Sequence, residues 1–431
     1  MADFMTTIGS VAEIFDGPHA TPFKTSHGPF FLSISSLENG RLDLSKSAHL
    51  SEDDFEKWTK RITPRKGDVL FSYETRLGEA ALMPDGIKAC LGRRMGLLRP
   101  RLDKVIPKYL LYAYLSPAFQ QAIIANTITG ATVDRISVGE IPSFPVRIPG
   151  LGEQKKVADL LGHIDSKIDC NNRINAELEA MAKALYDYWF VQFDFPDANG
   201  KPYKSSGGKM VYNAMLGREI PQGWVVGPLS DWIAKDKTGD WGKDMAEGNY
   251  TLSVDCIRGT DINGLNGKGA VAAPTRFILE KNKGKILAPF DLVIEISGGS
   301  PTQSTGRLAL MTSESIKRFS RPVICSNFCK AISLKNSFYV FNFAYLWKSA
   351  YENKVLFGWE GKTSGIKNLL FEAFTTKHVV CMPSQQLAQR FFDFVCPIED
   401  MKQKRLKEND ELALLRDWLL PLLMNGQVTV A

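Results

Sequence analysis

Residues 148–189 read IPGLGEQKKVADLLGHIDSKIDCNNRINAELEAMAKALYDYW, and residues 382–423 read MPSQQLAQRFFDFVCPIEDMKQKRLKENDELALLRDWLLPLL. The two stretches align without a gap, and their apolar positions coincide, so that Leu161 falls on Val395 and Ile164 on Ile398. A repeat of this size predicts that the chain contains two equivalent structural units in tandem.

Apolar residues in the first stretch recur at alternating steps of four and three, which is the spacing of a coiled-coil seam. The predicted seam consists of Leu161, Ile164, Ile168, Asn175, Leu178 and Leu185 in the first helix and Asn409, Leu412 and Leu419 in the second. An asparagine within such a seam lowers stability but fixes register and orientation, so its recurrence predicts that the two helices are partners. An ordinary amphipathic helix packed on its own domain is the alternative.

Pro397 interrupts the second stretch. Proline lacks an N–H group and clashes with the preceding helical turn, so we expect a kink or a broken first segment there.

A second pair of similar stretches lies ahead of the helices. Residues 67–83 read GDVLFSYETRLGEAALM, and residues 290–311 read FDLVIEISGGSPTQSTGRLALM. Each is an apolar, β-prone run, a glycine-containing loop and another apolar run, which predicts a strand, loop, strand unit.

These repeats divide the chain into a β-rich domain (1–147), a helical spacer (148–191), a linker (192–219), a second β-rich domain (220–381) and a second helical spacer (382–431). The predicted fold class is α+β. Two β-rich domains are separated by two long antiparallel helices, which form a coiled-coil-like rod with a pseudo-two-fold internal repeat.

Composition sets broad limits. The 431 residues are 44% hydrophobic and 23% charged, as in globular proteins, and the net charge of +6 is compatible with a polyanionic partner. The seven cysteines form no disulfide framework, and Cys325 and Cys329 lack the other ligands of a zinc site, so no metal is expected. Neither a signal peptide nor a transmembrane stretch is recognisable, which predicts a cytoplasmic protein without membrane contact.

Three stretches, together with the helix, carry a family resemblance: TGATVDRIS at 129–137, IPGLGEQKKVADLLGHID at 148–165 and IPQGWVVGPLSDW at 220–232. They resemble the specificity subunit of type I restriction-modification systems over essentially the whole chain. The matching motif positions are Pro149, Glu153, Gln154, Ile164 and Asp165. The second copy departs from this pattern, because Leu387 and Ala388 stand in place of Glu-Gln.

The resemblance implies a subunit that is not itself an enzyme and that reads a bipartite, gapped target in double-stranded DNA through two target-recognition domains. It also implies two methyltransferase subunits, docked on the helices, and restriction subunits as partners. A recognition subunit of a related system without the nuclease is one alternative, and a coiled-coil adaptor for proteins alone is another.

A self-sufficient methyltransferase or nuclease is disfavoured. The Asn/Asp-Pro-Pro-aromatic stretch that holds a flipped adenine is absent from the sequence, as is a glycine-rich cofactor turn, so no cofactor is expected. GWEGKTSG at 358–365 ends like a phosphate-binding loop, but Leu356 stands where its first glycine belongs. We expect 363–367 to match 128–132 in the first domain instead.

Arginine and glutamine side chains can read base edges, whereas small hydroxyl residues, glycine and lysine suit phosphate contacts. In the first domain the candidate DNA-binding residues are Lys24, Arg76, Arg93, Arg94, Thr129, Gly130, Thr132 and Arg135. In the second they are Gln303, Ser304, Arg307, Lys362, Thr363, Ser364 and Lys367. Only one of the adjacent Arg93 and Arg94 is expected to face DNA, since neighbours in an extended chain point to opposite sides.

Overall fold

The computed structural model describes residues 4–38, 40–130, 133–298, 302–363 and 366–430. The chain divides into two compact units. The first contains Met1–Ile168 and Leu412–Ala431, and the second contains Asp169–Glu411. Both units combine helices and strands, which confirms the predicted mixed fold class.

The first unit begins with a β-rich part and continues into a long helix. Its strands are β1 (Met5–Thr7), β2 (Ala12–Asp16), β3 (Thr25–Phe31), β4 (Leu37–Glu38), β5 (Arg41–Leu42), β6 (Ala48–His49), β7 (Val69–Ser72), β8 (Ala80–Leu82), β9 (Ala89–Cys90), β10 (Met95–Pro100), β11 (Thr127–Ile128), β12 (Arg135–Ile136) and β13 (Pro145–Arg147). Its helices are α1 (Ile8–Val11), α2 (Glu52–Trp58), α3 (Pro107–Leu115), α4 (Pro117–Ala125) and the first part of α5 (Leu151–Tyr186), which belongs to the second unit from Asp169 onward.

The core of this unit lies against an antiparallel sheet with the strand order β2-β10-β7-β8. A second sheet has the order β6-β3-β9, in which β3 and β9 run parallel. Helices α3 and α4 each begin with a proline, whose fixed φ and missing N–H suit the first helical position. Their apolar residues pack on the four-stranded sheet, where Tyr109, Tyr114 and Phe119 are buried.

The second unit contains the remaining elements. Its strands are β14 (Met210–Asn213), β15 (Arg218–Pro221), β16 (Val225–Pro228), β17 (Ile233–Thr238), β18 (Tyr250–Ile257), β19 (Thr275–Leu279), β20 (Leu292–Glu295), β21 (Ser297–Gly298), β22 (Leu308–Leu310), β23 (Val323–Cys325), β24 (Cys329–Leu334), β25 (Glu360–Thr363), β26 (Ile366–Leu369) and β27 (Val379–Met382). Its helices are α6 (Ile262–Leu265), α7 (Ser313–Ile316), α8 (Val340–Glu352), α9 (Phe371–Lys377) and the larger part of α10 (Gln385–Met424), which belongs to the first unit from Leu412 onward.

The strand connections of the second unit repeat those of the first. Its four-stranded antiparallel sheet has the order β17-β24-β20-β22, and its neighbour has the order β19-β18-β23 with β18 and β23 parallel. In both units the chain passes from the second strand of the parallel pair through a short turn into the four-stranded sheet. The internal repeat therefore extends from the sequence to the strand order.

Both predicted strand, loop, strand units are antiparallel hairpins. Val69 pairs with Leu82 in one, and Leu292 pairs with Leu310 in the other. The residue two positions before each first strand has a left-handed backbone, with φ of 87° at Gly67 and 69° at Phe290. Glycine adopts this conformation without strain, whereas a phenylalanine does so only where its surroundings hold it. The same backbone turn thus recurs with very different side chains.

The two long helices are the elements that the repeat predicted. The Ser384 hydroxyl caps α10 by accepting the N–H of Leu387 at 3.3 Å. Of the kink or broken segment expected at Pro397, the break was wrong, because α10 continues through the proline from Gln385 to Met424. Val395 and Ile398 are buried on either side of the proline, and this packing holds the helix together where one backbone hydrogen bond is missing.

None of the helices in the described part of the chain is long and apolar enough to cross a membrane.

Candidate nucleic-acid interface

The hairpin loop of the first unit carries Arg76. Its side chain is 34% exposed, and Nη2 lies 3.2 Å from Oε1 of Glu79. Nη1 also donates to the carbonyl oxygen of Ser35 at 3.4 Å. Arg76 is therefore held by its own unit and would have to exchange these contacts to reach a base.

Arg93 and Arg94 form the turn between β9 and β10. Arg94 has a φ of 70°, and its Nε lies 3.1 Å from Oε2 of Glu74. Arg93 is exposed. The expectation that one of the two faces DNA stays a prediction, and the exposure favours Arg93.

The other candidates of the first unit lie on its surface. Lys24, Thr129 and Gly130 are exposed in loops, and Arg135 is exposed on β12. Thr132 lies outside the described residues.

The expected match between 363–367 and 128–132 was wrong by two residues. Ile128 pairs with Arg135 across one hairpin, and Gly361 pairs with Asn368 across the other. The β7–β8 and β20–β22 hairpins are called the main hairpins of the two units. The N–H of Ile136 in β12 donates to the carbonyl oxygen of Tyr73, directly after β7, at 2.9 Å. The N–H of Leu369 in β26 donates to that of Ile296, directly after β20, at 2.8 Å. Ile128 therefore corresponds to Gly361 and not to Thr363.

In the second unit Gln303 is exposed, and its Nε2 donates to the hydroxyl of Tyr351 at 3.2 Å. Ser304 is buried, and its hydroxyl donates to Oε1 of Glu360 at 3.2 Å. Lys367 makes an ion pair with the same carboxylate at 3.2 Å. Burial raises the pKa of Glu360, but the Thr305 N–H and the Lys367 ammonium together lower it by more than burial raises it. The pKa of Glu360 therefore lies below its usual value.

Arg307 is tied to a carboxylate in the same way. Its Nε and Nη2 donate to the two oxygens of Glu295 at 2.9 and 2.6 Å, and these hydrogen bonds raise its pKa. A guanidinium that donates two hydrogen bonds to one carboxylate cannot use the same pair of N–H groups to bind a base. Ser364 lies outside the described residues, as do the side chains of Lys362 and Thr363.

A cleft of about 660 Å³ brings several of these residues together in the second unit. Gln303, Ser304 and Arg307 line it, together with three residues that the sequence reasoning missed, Trp241, Asn327 and Phe328. Trp241 is 38% exposed and Phe328 is 52% exposed. No signal in the sequence pointed to Asn327 and Phe328, because the turn at 326–328 shares no residue with the turn at 92–94.

The predicted helix partnership is confirmed by side-chain contacts within the second unit. Nδ2 of Asn171 donates to Oδ1 of Asn409 at 2.9 Å, and Nδ2 of Asn409 donates to Oδ1 of Asn172 at 2.8 Å. Asn175 donates to the carbonyl oxygen of Lys402 at 3.4 Å. Since a later residue of α5 meets an earlier residue of α10, the helices run antiparallel here. Leu178 and Leu185 are partly buried beside the aromatic core.

A carboxylate farther along α5 in the second unit makes a related contact. Glu179 accepts a short hydrogen bond from Lys348 and lies 3.9 Å from the ammonium of Lys402. Burial raises the pKa of Glu179, but the two lysines more than offset this and hold the pKa below its usual range. This carboxylate therefore joins α5 to α8 and α10.

In the first unit the seam consists of Leu161, Ile164 and Ile168, all buried, with Leu419 partly buried near them and Leu412 also partly exposed. Asp165 accepts the hydroxyl of Tyr112 at 2.5 Å and Nη1 of Arg416 at 3.1 Å. Gln154 of the Glu-Gln motif is fully buried and donates to Lys104 and Pro149 carbonyl oxygens at 2.9 and 2.7 Å. These motif residues fasten the helix to its β-rich part.

The described residues contain no group of three or more His, Cys, Asp or Glu side chains placed to hold a metal ion.

The comparisons with known proteins agree with this geometry. Residues 5–180 match the family of type I restriction modification DNA specificity domains. The type I restriction enzyme MjaIX specificity subunit of Methanocaldococcus jannaschii is 23% identical over 386 residues, which cover 89% of this chain and 82% of that protein. The HindI specificity subunit of Haemophilus influenzae is 30% identical over 135 residues, or 30% of this chain and 29% of that protein.

The fold is also similar to that of a solved structure. The S subunit of a type I restriction-modification system from M. genitalium matches with a TM-score of 0.57 and 16% identity, over 97% of this chain and 95% of that one. The chain is thus a DNA-specificity protein built from two β-rich units and two long helices. Its similarity is to the specificity subunits of type I restriction-modification systems, over residues 5–180 for the family of DNA specificity domains and over 89% of the chain for the Methanocaldococcus jannaschii relative.

Proposed function

We propose that this chain reads a bipartite, gapped target in double-stranded DNA, with one β-rich unit on each half-site. The observation that carries the proposal is the recurrence of one strand order in two units whose exposed loops differ. Two readers with a common scaffold and different surface residues suit two different half-sites, so the target is not a palindrome.

Affinity and specificity have different sources in this proposal. The exposed residues Lys24 and Arg135 contact phosphate through their cationic groups, and Thr129 and Gly130 of the β11–β12 connection do so through hydroxyl and N–H groups. Base edges are read by Arg76 and Arg93 in the first unit and by Gln303 in the second, because these side chains can make two directed hydrogen bonds to one base.

The two long helices set the distance between the half-sites. The hydrogen-bonded Asn171 and Asn409 support this role, because a polar pair in a helix seam fixes one register and therefore one spacing. The distance changes with helix length at about 1.5 Å per residue.

The catalytic subunits are the remaining partners. Two adenine methyltransferase subunits dock on the helices, and restriction subunits join to form the nuclease, in the cytoplasm. Leu414, Leu415 and Trp418 support a docking surface on α10, because they are 71%, 43% and 63% exposed.

Sequencing of methylated adenine in a host with the gene intact, and in one with the gene deleted, tests the proposal. We expect a two-part gapped motif to disappear on deletion while the methyltransferase remains present. An unchanged methylation pattern contradicts the proposal and favours a protein adaptor.

The spacing role has its own experiment. One heptad of helix is inserted after Ile168 and a matched heptad after Glu411, where the two compact units divide, so that each unit keeps its internal contacts. Seven residues add about 10 Å, so the gap should lengthen by roughly three base pairs at 3.4 Å each. Insertion of the same heptad after Gly200, in an exposed turn of the linker, is the control. An unchanged gap in the helix variant contradicts the spacing role.

A further inference from the structure

The turn at 326–328 of the second unit is the structural counterpart of the turn at 92–94 of the first. The N–H of Met95 donates to the carbonyl oxygen of Gly92 at 3.2 Å, and the N–H of Cys329 donates to that of Ser326 at 2.8 Å. Both turns connect the parallel strand pair to the four-stranded sheet.

A second pair of hydrogen bonds fixes the correspondence residue by residue. The N–H of Tyr73 donates to the carbonyl oxygen of Arg94 at 3.2 Å, and the N–H of Ile296 donates to that of Phe328 at 2.9 Å. Tyr73 and Ile296 each follow the first strand of the main hairpin. Phe328 therefore stands where Arg94 stands, and Asn327 stands where Arg93 stands.

The surroundings of Asn327 are those of a base-reading side chain. Asn327 is exposed, and it lines the same cleft as Gln303, so two amide side chains face one space. Phe328 beside it is 52% exposed, which leaves an aromatic ring in contact with water at the cleft. An exposed aromatic ring next to hydrogen-bonding amides suits a partner with apolar and polar edges.

The arginines of this cleft are already engaged. Arg258 donates to both oxygens of Asp261, at 3.0 and 3.1 Å, and Arg307 donates to both oxygens of Glu295. Because both guanidinium groups already donate paired hydrogen bonds to carboxylates, the side chains left to bind a base in this cleft are the amides of Gln303 and Asn327. An amide makes two hydrogen bonds to adenine, whereas a guanidinium makes two to guanine.

We infer that Asn327 reads an adenine in the half-site of the second unit and that Phe328 packs against the thymine methyl group of the same or the adjacent base pair. Arg93, at the corresponding position, reads a guanine in the half-site of the first unit. The inference rests on the proposed function and adds to it a pair of equivalent specificity-determining positions.

Three variants test the inference in the complex assembled with the methyltransferase subunits: Asn327→Ala, Phe328→Ala and Arg93→Ala. Each complex is assayed for its methylation motif and for binding to duplexes in which every target position is varied. Asn327→Ala should reduce the preference at one adenine position of one half-site by roughly 5- to 150-fold. Phe328→Ala should weaken the preference for thymine there, and Arg93→Ala should relax one guanine position of the other half-site.

Two exposed residues provide matched controls. Asn199 lies in a turn of the linker, and Arg101 lies just after β10, so Asn199→Ala and Arg101→Ala should leave the motif unchanged. An unchanged motif with Asn327→Ala, or a weakening that is equal for all sequences, overturns the inference. If the native complex itself imposes no two-part motif, the proposed function fails instead.

Discussion

The buried acids of the two β-rich units are alike, whereas the exposed turns at the same sheet differ. Asp68 and Asp291 precede the first strand of each main hairpin, and their side chains are 1% and 2% exposed. Asp68 accepts an N–H from Arg65, and Asp291 accepts one from Ala288, three residues earlier in both cases. At the turns, by contrast, an arginine pair in one unit stands where asparagine and phenylalanine stand in the other.

The difference follows from burial. A buried carboxylate requires a cationic partner, and it has one in both units: Arg99 Nη2 at 2.7 Å from Asp68 and Lys237 Nζ at 2.6 Å from Asp291. An exposed side chain is solvated without any partner, so its identity can change at little cost in stability. The buried charges therefore stabilise the scaffold in both units, whereas the sequence of the exposed turns can vary.

The largest expected effect comes from breaking a buried ion pair. Asp291→Asn leaves the Lys237 ammonium without its counter-charge, so the free energy of unfolding of the second unit should fall by about 3–5 kcal/mol. Hydrogen–deuterium exchange of β20 and β24 measures this locally. Asp85→Asn is the control, since Asp85 pairs with Lys66 on the surface, where water screens the two charges, and it should leave stability nearly unchanged. Equal effects of the two variants would show that burial does not distinguish these sites.

A smaller effect is expected at the polar pair between the helices. Asn409→Ala removes a partner from both Asn171 and Asn172, and the free energy of unfolding should fall by about 1–3 kcal/mol. The double variant Asn171→Leu with Asn409→Leu should recover this stability, because both buried polar groups are gone, but it should lose the fixed register.

Denaturant unfolding measures the stability of both variants, and disulfide cross-linking between cysteines introduced on the two helices measures the register. Asn172→Ala is the control on the exposed side of the pair. A double variant that cross-links in the native register alone would contradict the role assigned to the asparagines.

Much of the fold could be predicted because it follows from periodicity. The spacing of Leu161, Ile164 and Ile168 predicted a long helix, and the recurrence of asparagine predicted its partner. The break expected at Pro397 did not occur, because local propensity cannot account for the burial of the neighbouring Val395 and Ile398.

The candidate site could be predicted from the sequence less well than the fold. Arg94 and Arg307 stood out as cations, but their carboxylate partners lie 20 and 12 residues away along the chain, at Glu74 and Glu295. Asn327 was missed because its correspondence to Arg93 exists in the hydrogen-bond register and not in the residue type. Whether any of these side chains contacts DNA stays a prediction.

The smallest expected effect on stability sharpens the comparison between turn and scaffold. In the exchange variant Arg93→Asn with Asn327→Arg, both side chains are exposed, so the free energy of unfolding should change by less than about 0.5 kcal/mol. Denaturant unfolding of the variant and the native protein measures it. Arg94→Ala, which leaves the largely buried Glu74 carboxylate without its ion-pair partner, is the control and should cost about 1–3 kcal/mol. If the exchange destabilises the protein as much as Asp291→Asn does, the turn belongs to the scaffold and is not free to vary for recognition.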